Sequence, residues 1–349
     1  ILSSPLSLSI SNRRIMKVLF LGGTGIISTS CVADAIAQNF DTYVLNRGSE
    51  KKREVPNGAK VIHGDVNVAS DLEKVANQDF DVVVDFLCFT KEQAESRIKI
   101  FSKKIKQYIF ISSASAYAKP VHKHPITEST PLHNPFVKYS RDKIDCEKVF
   151  IKAFEEDNFP ITIVRPSHTY DDANPPLVGD WTAWQRMLDG KKILMPGNGT
   201  TFWTLTHALD FAPGLVGLIA NFQAIGEDFH ITSNEVLTWW EIFDAIEKTV
   251  GVKINSFTLT GEQVRLAEPN WGWSELIEGD LNHSLIFDNS KIRRFSPRFN
   301  PTISWSTGIR RIFDWQMSNR SRITLDPAMN EKLESLANAH EKIISALKK

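Results

Sequence analysis

Cysteine is scarce in this chain. Cys31, Cys88 and Cys146 are the three in 349 residues, and none forms a Cys-x-x-Cys spacing. Widely separated thiols fit a reducing, cytoplasmic compartment better than a disulfide framework or a zinc-thiolate site. A surplus of charge is also missing: lysine plus arginine and aspartate plus glutamate each total 41. No basic balance therefore recommends nucleic acid or an anionic membrane as the partner. No apolar run approaches the roughly 20 residues that a membrane-spanning helix needs. His122-Lys123-His124 has neither acids nor cysteines to back it and reads as a surface loop, so no metal site is expected. These absences leave a small soluble ligand as the default partner.

What is present is an alternation. From Lys17 to Arg165, short β-branched runs alternate with helical patterns, the signature of a parallel sheet with helices on both faces. Strands are expected at 17–21, 42–46, 60–63, 82–86, 108–112 and 161–165. After Pro166 the texture changes: residues 171–176 read as a loop, and all nine tryptophans lie beyond residue 180. The expectation is a dinucleotide-binding domain over 16–168, a substrate lobe over 169–320 and a helical tail over 321–349. Residues 1–15 carry Arg13 and Arg14, many serines and no acid; they read as leader or disordered sequence ahead of Met16.

Two motifs carry chemistry. The apolar run Lys17–Leu21 enters the glycine turn Gly22-Gly23-Thr24-Gly25-Ile26-Ile27-Ser28 and then an amphipathic stretch. Glycines let the backbone approach a pyrophosphate, and the helix that follows offers free N–H groups and a positive dipole end. Further on, Tyr139 and Lys143 stand four residues apart. On a helix that spacing places phenol and ammonium on one face, where the cation can stabilise a phenolate and lower the phenol pKa. That pair suits a general base for an alcohol. Ser112 and Ser113 end the strand-like run upstream of it.

Over Met16 to about Gly308 the chain resembles the extended short-chain dehydrogenase/reductase superfamily, the branch containing sugar-nucleotide epimerases and dehydratases. Gly22 and Gly25 match two positions of its Gly-x-x-Gly-x-x-Gly turn, and Ser28 occupies the third. The resemblance implies an α/β fold: a doubly wound, parallel Rossmann-type sheet with a smaller C-terminal substrate lobe, and a segment such as Phe229–Thr232 returning to the sheet. It implies catalysis by Ser113, Tyr139 and Lys143, with the serine bonding the reacting oxygen and the lysine holding the nicotinamide ribose. The implied cofactor residues are Gly22, Gly23, Thr24, Gly25, Ile26 and Ile27 at the phosphates, and Asn46 and Arg47 at the ribose. Asp65 and Val66 fall at the adenine, and Leu87, Lys143, Pro166 and His168 toward the nicotinamide.

Departures from the family pattern narrow the chemistry. Dehydratases of the family place Asp-Glu directly after the hydroxyl residue, whereas this chain has Ala114 and Ser115, so epimerisation or carbonyl reduction is favoured over elimination. Related NAD enzymes commonly end the second strand with an acid. Here the strand ends Asn46-Arg47, so the expected cofactor is NAD(P), with NADP favoured. Arginines that grip a nucleotide diphosphate are replaced by Trp203 and by Leu276-Ile277, with Arg186 or Arg265 as substitutes. The substrate candidates are Ser115, His168, Trp181, Arg186 and Trp203. Trp181 with Trp184, and Trp271 with Trp273, read either as a stacking wall or as lobe core.

The leading function is an NAD(P)-dependent oxidoreductase or epimerase acting on a secondary alcohol or ketone of a sugar or sugar-nucleotide-like substrate. An NADPH-dependent reductase of a non-sugar carbonyl is the first alternative. A non-catalytic RNA-binding protein on the same scaffold is the second, since a plastid branch of the superfamily binds RNA and shares an Arg-Gly ending to its second strand. The helical patterns after Lys91 and Tyr139 permit a homodimer.

Overall fold

The computed structural model describes residues 14–49 and 53–349; of the expected leader, residues 1–13 lie outside the described residues. In chain order the strands are β1 (Lys17–Leu21), β2 (Asp41–Asn46), β3 (Lys60–His63), β4 (Val82–Asp85), β5 (Gln107–Ile111), β6 (Ile161–Pro166), β7 (His168–Tyr170), β8 (Ile193–Pro196), β9 (Phe202–Trp203), β10 (Leu205–His207), β11 (Asp228–Ile231), β12 (Leu237–Thr238) and β13 (Ser256–Leu259). The helices are α1 (Ser28–Ala37), α2 (Ala69–Ala76), α3 (Lys91–Phe101), α4 (Lys138–Asp157), α5 (Asp180–Leu188), α6 (Ala208–Val216), α7 (Trp239–Val250), α8 (Gly261–Ala267), α9 (Gly272–Leu276), α10 (Ser290–Phe295), α11 (Trp305–Ser318) and α12 (Pro327–Leu347).

Seven strands form one parallel sheet in the order β11-β6-β5-β4-β1-β2-β3. The order reverses between β1 and β4, and in such a sheet the crevice beyond the strand ends at the reversal is where a ligand sits. Alternate residues of β1, β4, β5 and β6 feed opposite cores, which is why these segments read as near-continuous apolar runs. Val18, Phe20 and Val84 pack with Val32 of α1 and Leu215 of α6. Leu19, Val83 and Phe110 pack with Leu72 of α2, Phe101 of α3 and Phe150 of α4. The returning strand is β11, parallel to β6 at the sheet edge.

The lobe has a core of its own, and it is built from indoles. Trp181, Trp184, Trp203, Trp239 and Trp305 are fully buried. Each N–H finds a partner, as burial of an indole demands: Ala173 O at 2.9 Å, Gln316 Oε1 at 2.8 Å, His168 Nδ1 at 3.0 Å, Leu281 O at 3.2 Å and Ile242 O at 3.0 Å, respectively. Trp271 belongs to the same core, with Trp273 packed against it. These buried tryptophans are lobe interior, and Trp181 is removed from the substrate candidates on that ground.

The segment expected as a helical tail contributes to this core as well. α12 buries Leu333 and Leu336. It is tied to α5 by Arg186, which reaches Glu334 at 2.8 Å, Asn330 Oδ1 at 2.7 Å and the carbonyl of Lys192 at 3.0 Å. With its guanidinium so engaged, Arg186 is a strut between helices and not a phosphate grip. Among the described residues no helix is long and apolar enough to cross a membrane.

Candidate functional site

The turn after β1 is shaped by what glycine lacks. Gly22 adopts φ +83°, a left-handed conformation that L side chains rarely take, and its N–H donates to Leu45 O at 3.0 Å. A Cβ on Gly23 would stand 2.5 Å from Val44 Cγ1, so β2 itself forbids a side chain there. Ser28 stands at the third glycine position, and its Oγ accepts from Gly25 N at 2.8 Å. The serine thus stiffens the turn from within. Ile27, at the N-cap of α1, supplies no side-chain cap, which leaves first-turn amides available to a ligand.

The turn forms one end of a cleft of about 640 Å³ at the carboxyl ends of the sheet strands. Gly22 to Ile27, Asn46, Arg47, Asp65, Val66, Leu87, Ser113, Tyr139, Lys143 and Pro166 all line it. Ser115, His168, Trp181, Arg186 and Trp203 do not. Leu87 is held in place by a fully buried carboxylate: Asp85 accepts from Leu87 N at 2.7 Å, from Tyr108 Oη at 2.6 Å and from Arg97 Nε at 3.2 Å. Arg47 is exposed, with Nη1 3.9 Å from Asp65 Oδ2. Asn46 Oδ1 accepts from Gly48 N at 3.1 Å, so the residue replacing the expected acid shapes the turn.

At the other end of the cleft three side chains converge. Ser113 leaves β5 and caps a short 3-10 turn, accepting from Ser115 N at 3.2 Å. Ser115 Oγ lies 2.9 Å from Ser113 Oγ and accepts from Ser140 Oγ at 2.7 Å. Ser115 is therefore a buried support behind Ser113, which corrects its reading as a substrate contact. Tyr139, in the first turn of α4, is 40% exposed and interacts with Ser113. Burial of its hydroxyl pushes the phenol up to about 12, with Ser113 pulling in the other direction.

Lys143, one turn along α4, has its Nζ 5.6 Å from the Tyr139 ring centroid and 4.5 Å from that of Phe89. It donates to Cys88 O at 2.6 Å and to Ile111 O at 2.8 Å. Burial lowers its own pKa. The expected depression of the tyrosine by the lysine is absent, because two carbonyls hold the ammonium and the phenol is desolvated.

His168 lies beside the cleft on β7, which pairs with β10. Its Nδ1 accepts the indole N–H of Trp203, and burial lowers it to about 4, so the ring is neutral. Trp203 in turn stacks on Trp239 with centroids 5.5 Å apart. Both are walls of the lobe, displaced from the direct contact assigned to them.

Sequence reasoning missed Phe89, Gln93 and Thr169, which line the cleft. It also missed Asn134, whose Nδ2 donates at 2.9 Å to both Ser115 O and Gly279 O and so ties the turn after β5 to the lobe. A lone asparagine in a proline-rich loop carries no periodic signal. Behind Ser112 runs a buried polar chain. Ser112 Oγ donates to Glu147, which accepts from Arg165 Nε at 2.9 Å and Nη2 at 2.6 Å. Arg165 continues to Asp228 of β11 at 2.6 Å and to Tyr117 Oη at 3.2 Å.

Residues 18–232 match the NAD dependent epimerase/dehydratase family. The 2′-dehydrokanamycin reductase of Streptomyces kanamyceticus is 23% identical over 293 residues, covering 81% of this chain and 80% of its own. The chloroplast stem-loop binding protein of 41 kDa b of Arabidopsis thaliana is 23% identical over 252 residues, 67% of this chain and 63% of its own. Among solved structures, UDP-glucose 4-epimerase from Bifidobacterium longum, in complex with NAD+ and UDP, shares the fold with a TM-score of 0.71. That likeness covers 88% of this chain and 100% of that one at 19% identity.

Proposed function

The chain belongs to the NAD-dependent epimerase/dehydratase family and is an enzyme of the extended short-chain dehydrogenase/reductase type; from this we propose that it interconverts a secondary alcohol and ketone on a sugar or sugar-nucleotide-like substrate. The observation that carries the reading is the meeting of Ser113, Tyr139 and Lys143 on one wall of a cleft that begins at the glycine turn.

The cleft fits a nicotinamide dinucleotide. Gly22 and Gly23 offer backbone where a Cβ has no place, uncapped amides open α1, and Asp65 and Val66 stand where an adenosine would end. Bound there, the cofactor would supply or accept the hydride. Ser113 would donate a hydrogen bond to the substrate oxygen, and Tyr139 would exchange its proton with that oxygen. With a pKa of about 12 the phenol is protonated at neutral pH, ready to protonate a carbonyl oxygen. Taking a proton from an alcohol requires Lys143 to leave a carbonyl partner and face the phenolate. We place NADP ahead of NAD because Arg47 is exposed at the ribose end and no carboxylate stands at Asn46.

The experiment is a screen of NADPH and NADH turnover over keto-sugars, UDP-sugars and simple ketones, repeated with Tyr139→Phe. Loss of the general acid should cost about 10²- to 10⁴-fold in kcat with dinucleotide binding retained; unchanged turnover refutes the assignment. The second reading, a reductase of a non-sugar carbonyl, is favoured by Trp203 and Leu276-Ile277 where arginines were expected. Net NADPH consumption with simple ketones and none with sugars selects it. Isomerisation without net cofactor change selects epimerisation.

A further inference from the structure

The stacking wall that the tryptophans suggested lies in the lobe core, yet the cleft has an aromatic surface of its own. Among the described residues lining it, Phe89 and Tyr139 are the exposed aromatic rings, at 39% and 40%. Their centroids stand 6.4 Å apart with an interplanar angle of 45°. A small ring entering the cleft can therefore touch both. A lone exposed apolar side chain needs no explanation; what singles out Phe89 is its place beside the phenol and how firmly it is held. Phe89 N donates to Gln93 Oε1 at 2.7 Å, and Thr90 N donates to the same oxygen at 3.2 Å in the capping box that opens α3. Gln93 Nε2 in turn donates to Asn67 Oδ1 at 2.9 Å. On the preceding residue, Cys88 O accepts from Lys143 Nζ at 2.6 Å. The segment bearing the ring is pinned on both sides, so little ordering entropy is lost when a ligand rests on it.

The same geometry decides the charge of that ligand. Arg47 and Lys143 are the cations among the described residues lining the cleft. Arg47 stands at the other end, beside Asp65. Lys143 is buried, two carbonyls hold its Nζ, and the rings of Phe89 and Phe110 flank it with centroids at 4.5 and 4.9 Å. An aromatic ring is negative on its face and positive at its edge. A carboxylate or phosphate laid on Phe89 would meet that negative face with Lys143 already engaged. The weakly positive C–H groups on the apolar face of a neutral ring fit it.

We propose that Phe89 is a specificity-determining residue, the platform on which an uncharged, pyranose-like ring lies by its apolar C–H face while its oxygen reaches Ser113 and Tyr139. The platform rests on the sugar reading above and sharpens it by class: the ring at the reacting centre is neutral and carries no carboxylate or phosphate of its own there.

The test uses the full chain saturated with NADPH and two probes in calorimetric titrations: methyl β-D-galactopyranoside, and methyl β-D-galactopyranosiduronate, the same ring bearing a carboxylate. Wild-type protein should bind the neutral pyranoside about tenfold or more tightly than the uronate. Phe89→Leu, an exposed change that thermal melting should show to be folded, should weaken pyranoside binding by about threefold to tenfold, the loss of one ring contact. Phe89→Tyr keeps the ring and should keep the affinity, and NADPH binding should be the same in all three proteins. Equal binding of the two sugars by wild type overturns the neutral class. Unchanged pyranoside binding in Phe89→Leu overturns the platform, and so does a parallel loss of NADPH affinity, which would assign the ring to the cofactor. Absence of binding of either sugar by wild-type protein is a different result and overturns the sugar reading, with the platform that rests on it.

Discussion

Two backbone oxygens, of Cys88 and Ile111, hold Lys143 where a Tyr-x-x-x-Lys spacing alone would have sent its charge toward the phenol. Spacing specifies which helix face a side chain occupies and says nothing about what else competes for it on that face. Ser115 illustrates the same limit, since only the fold reveals that Ser140 and Asn134 enlist it as a support. Among the described residues Arg47 has no such competitor within ordinary hydrogen-bond distance, Asp65 Oδ2 standing 3.9 Å from its Nη1. Replacing it by serine should therefore weaken NADPH binding by roughly tenfold or more while sparing NADH, the difference being one phosphate contact. Fluorescence titration with the two reduced cofactors measures this, and equal weakening of both would remove Arg47 from the cofactor assignment.

The β1-turn-α1 unit shows how closely one element constrains another. Gly23→Ala would drive a methyl group into Val44, opening the turn away from β2. Overpacking of this kind costs about 1–3 kcal/mol, and because the turn is also the proposed phosphate cradle, the rise in Tm caused by NADPH should shrink in the same variant. Thermal melts with and without cofactor separate the two effects; an unaltered NADPH response would place the phosphates elsewhere. This unit and the other strands of the large sheet were legible in the sequence to within a residue or two, most clearly β1, β4, β5 and β6, because strands buried on both faces are written as apolar runs. Pairs such as β9 with β12 and β7 with β10 were not, since strands of two or three residues are too short to display a period. Ser113, Tyr139 and Lys143, which line the cleft, were visible as motifs. Trp181 and Arg186 were misplaced for one reason: whether an aromatic or an arginine faces ligand or core depends on α11 and α12, far away in the chain.

At the scale of the molecule, sheet and lobe are joined through a polar seam. His230 of β11 has its Nε2 2.7 Å from Asp288 O, and a carbonyl can only accept, so Nε2 carries the proton and Nδ1 accepts from Tyr117 Oη at 3.0 Å. Burial holds the ring at about 4, with Arg165 opposing a second positive charge. The neutral form is thus the one the fold prefers. Its contribution to stability is complete above the unfolded value near 6.5 and is lost as pH falls through about 4, a loss on the order of 3 kcal/mol by then. Urea unfolding near neutral pH and near pH 4 should show that fall, and His230→Asn should flatten it; an unchanged acid limb in the variant would assign it to other groups. Helix α12, which buries Leu333 and Leu336 and engages Arg186 of α5, leaves the ribosome after everything it packs against. Chains emerge at about 5–20 residues per second and fold N-terminal parts first, so during synthesis the glycine cradle can form, and even acquire cofactor, while the indole core of the lobe is still open on one side.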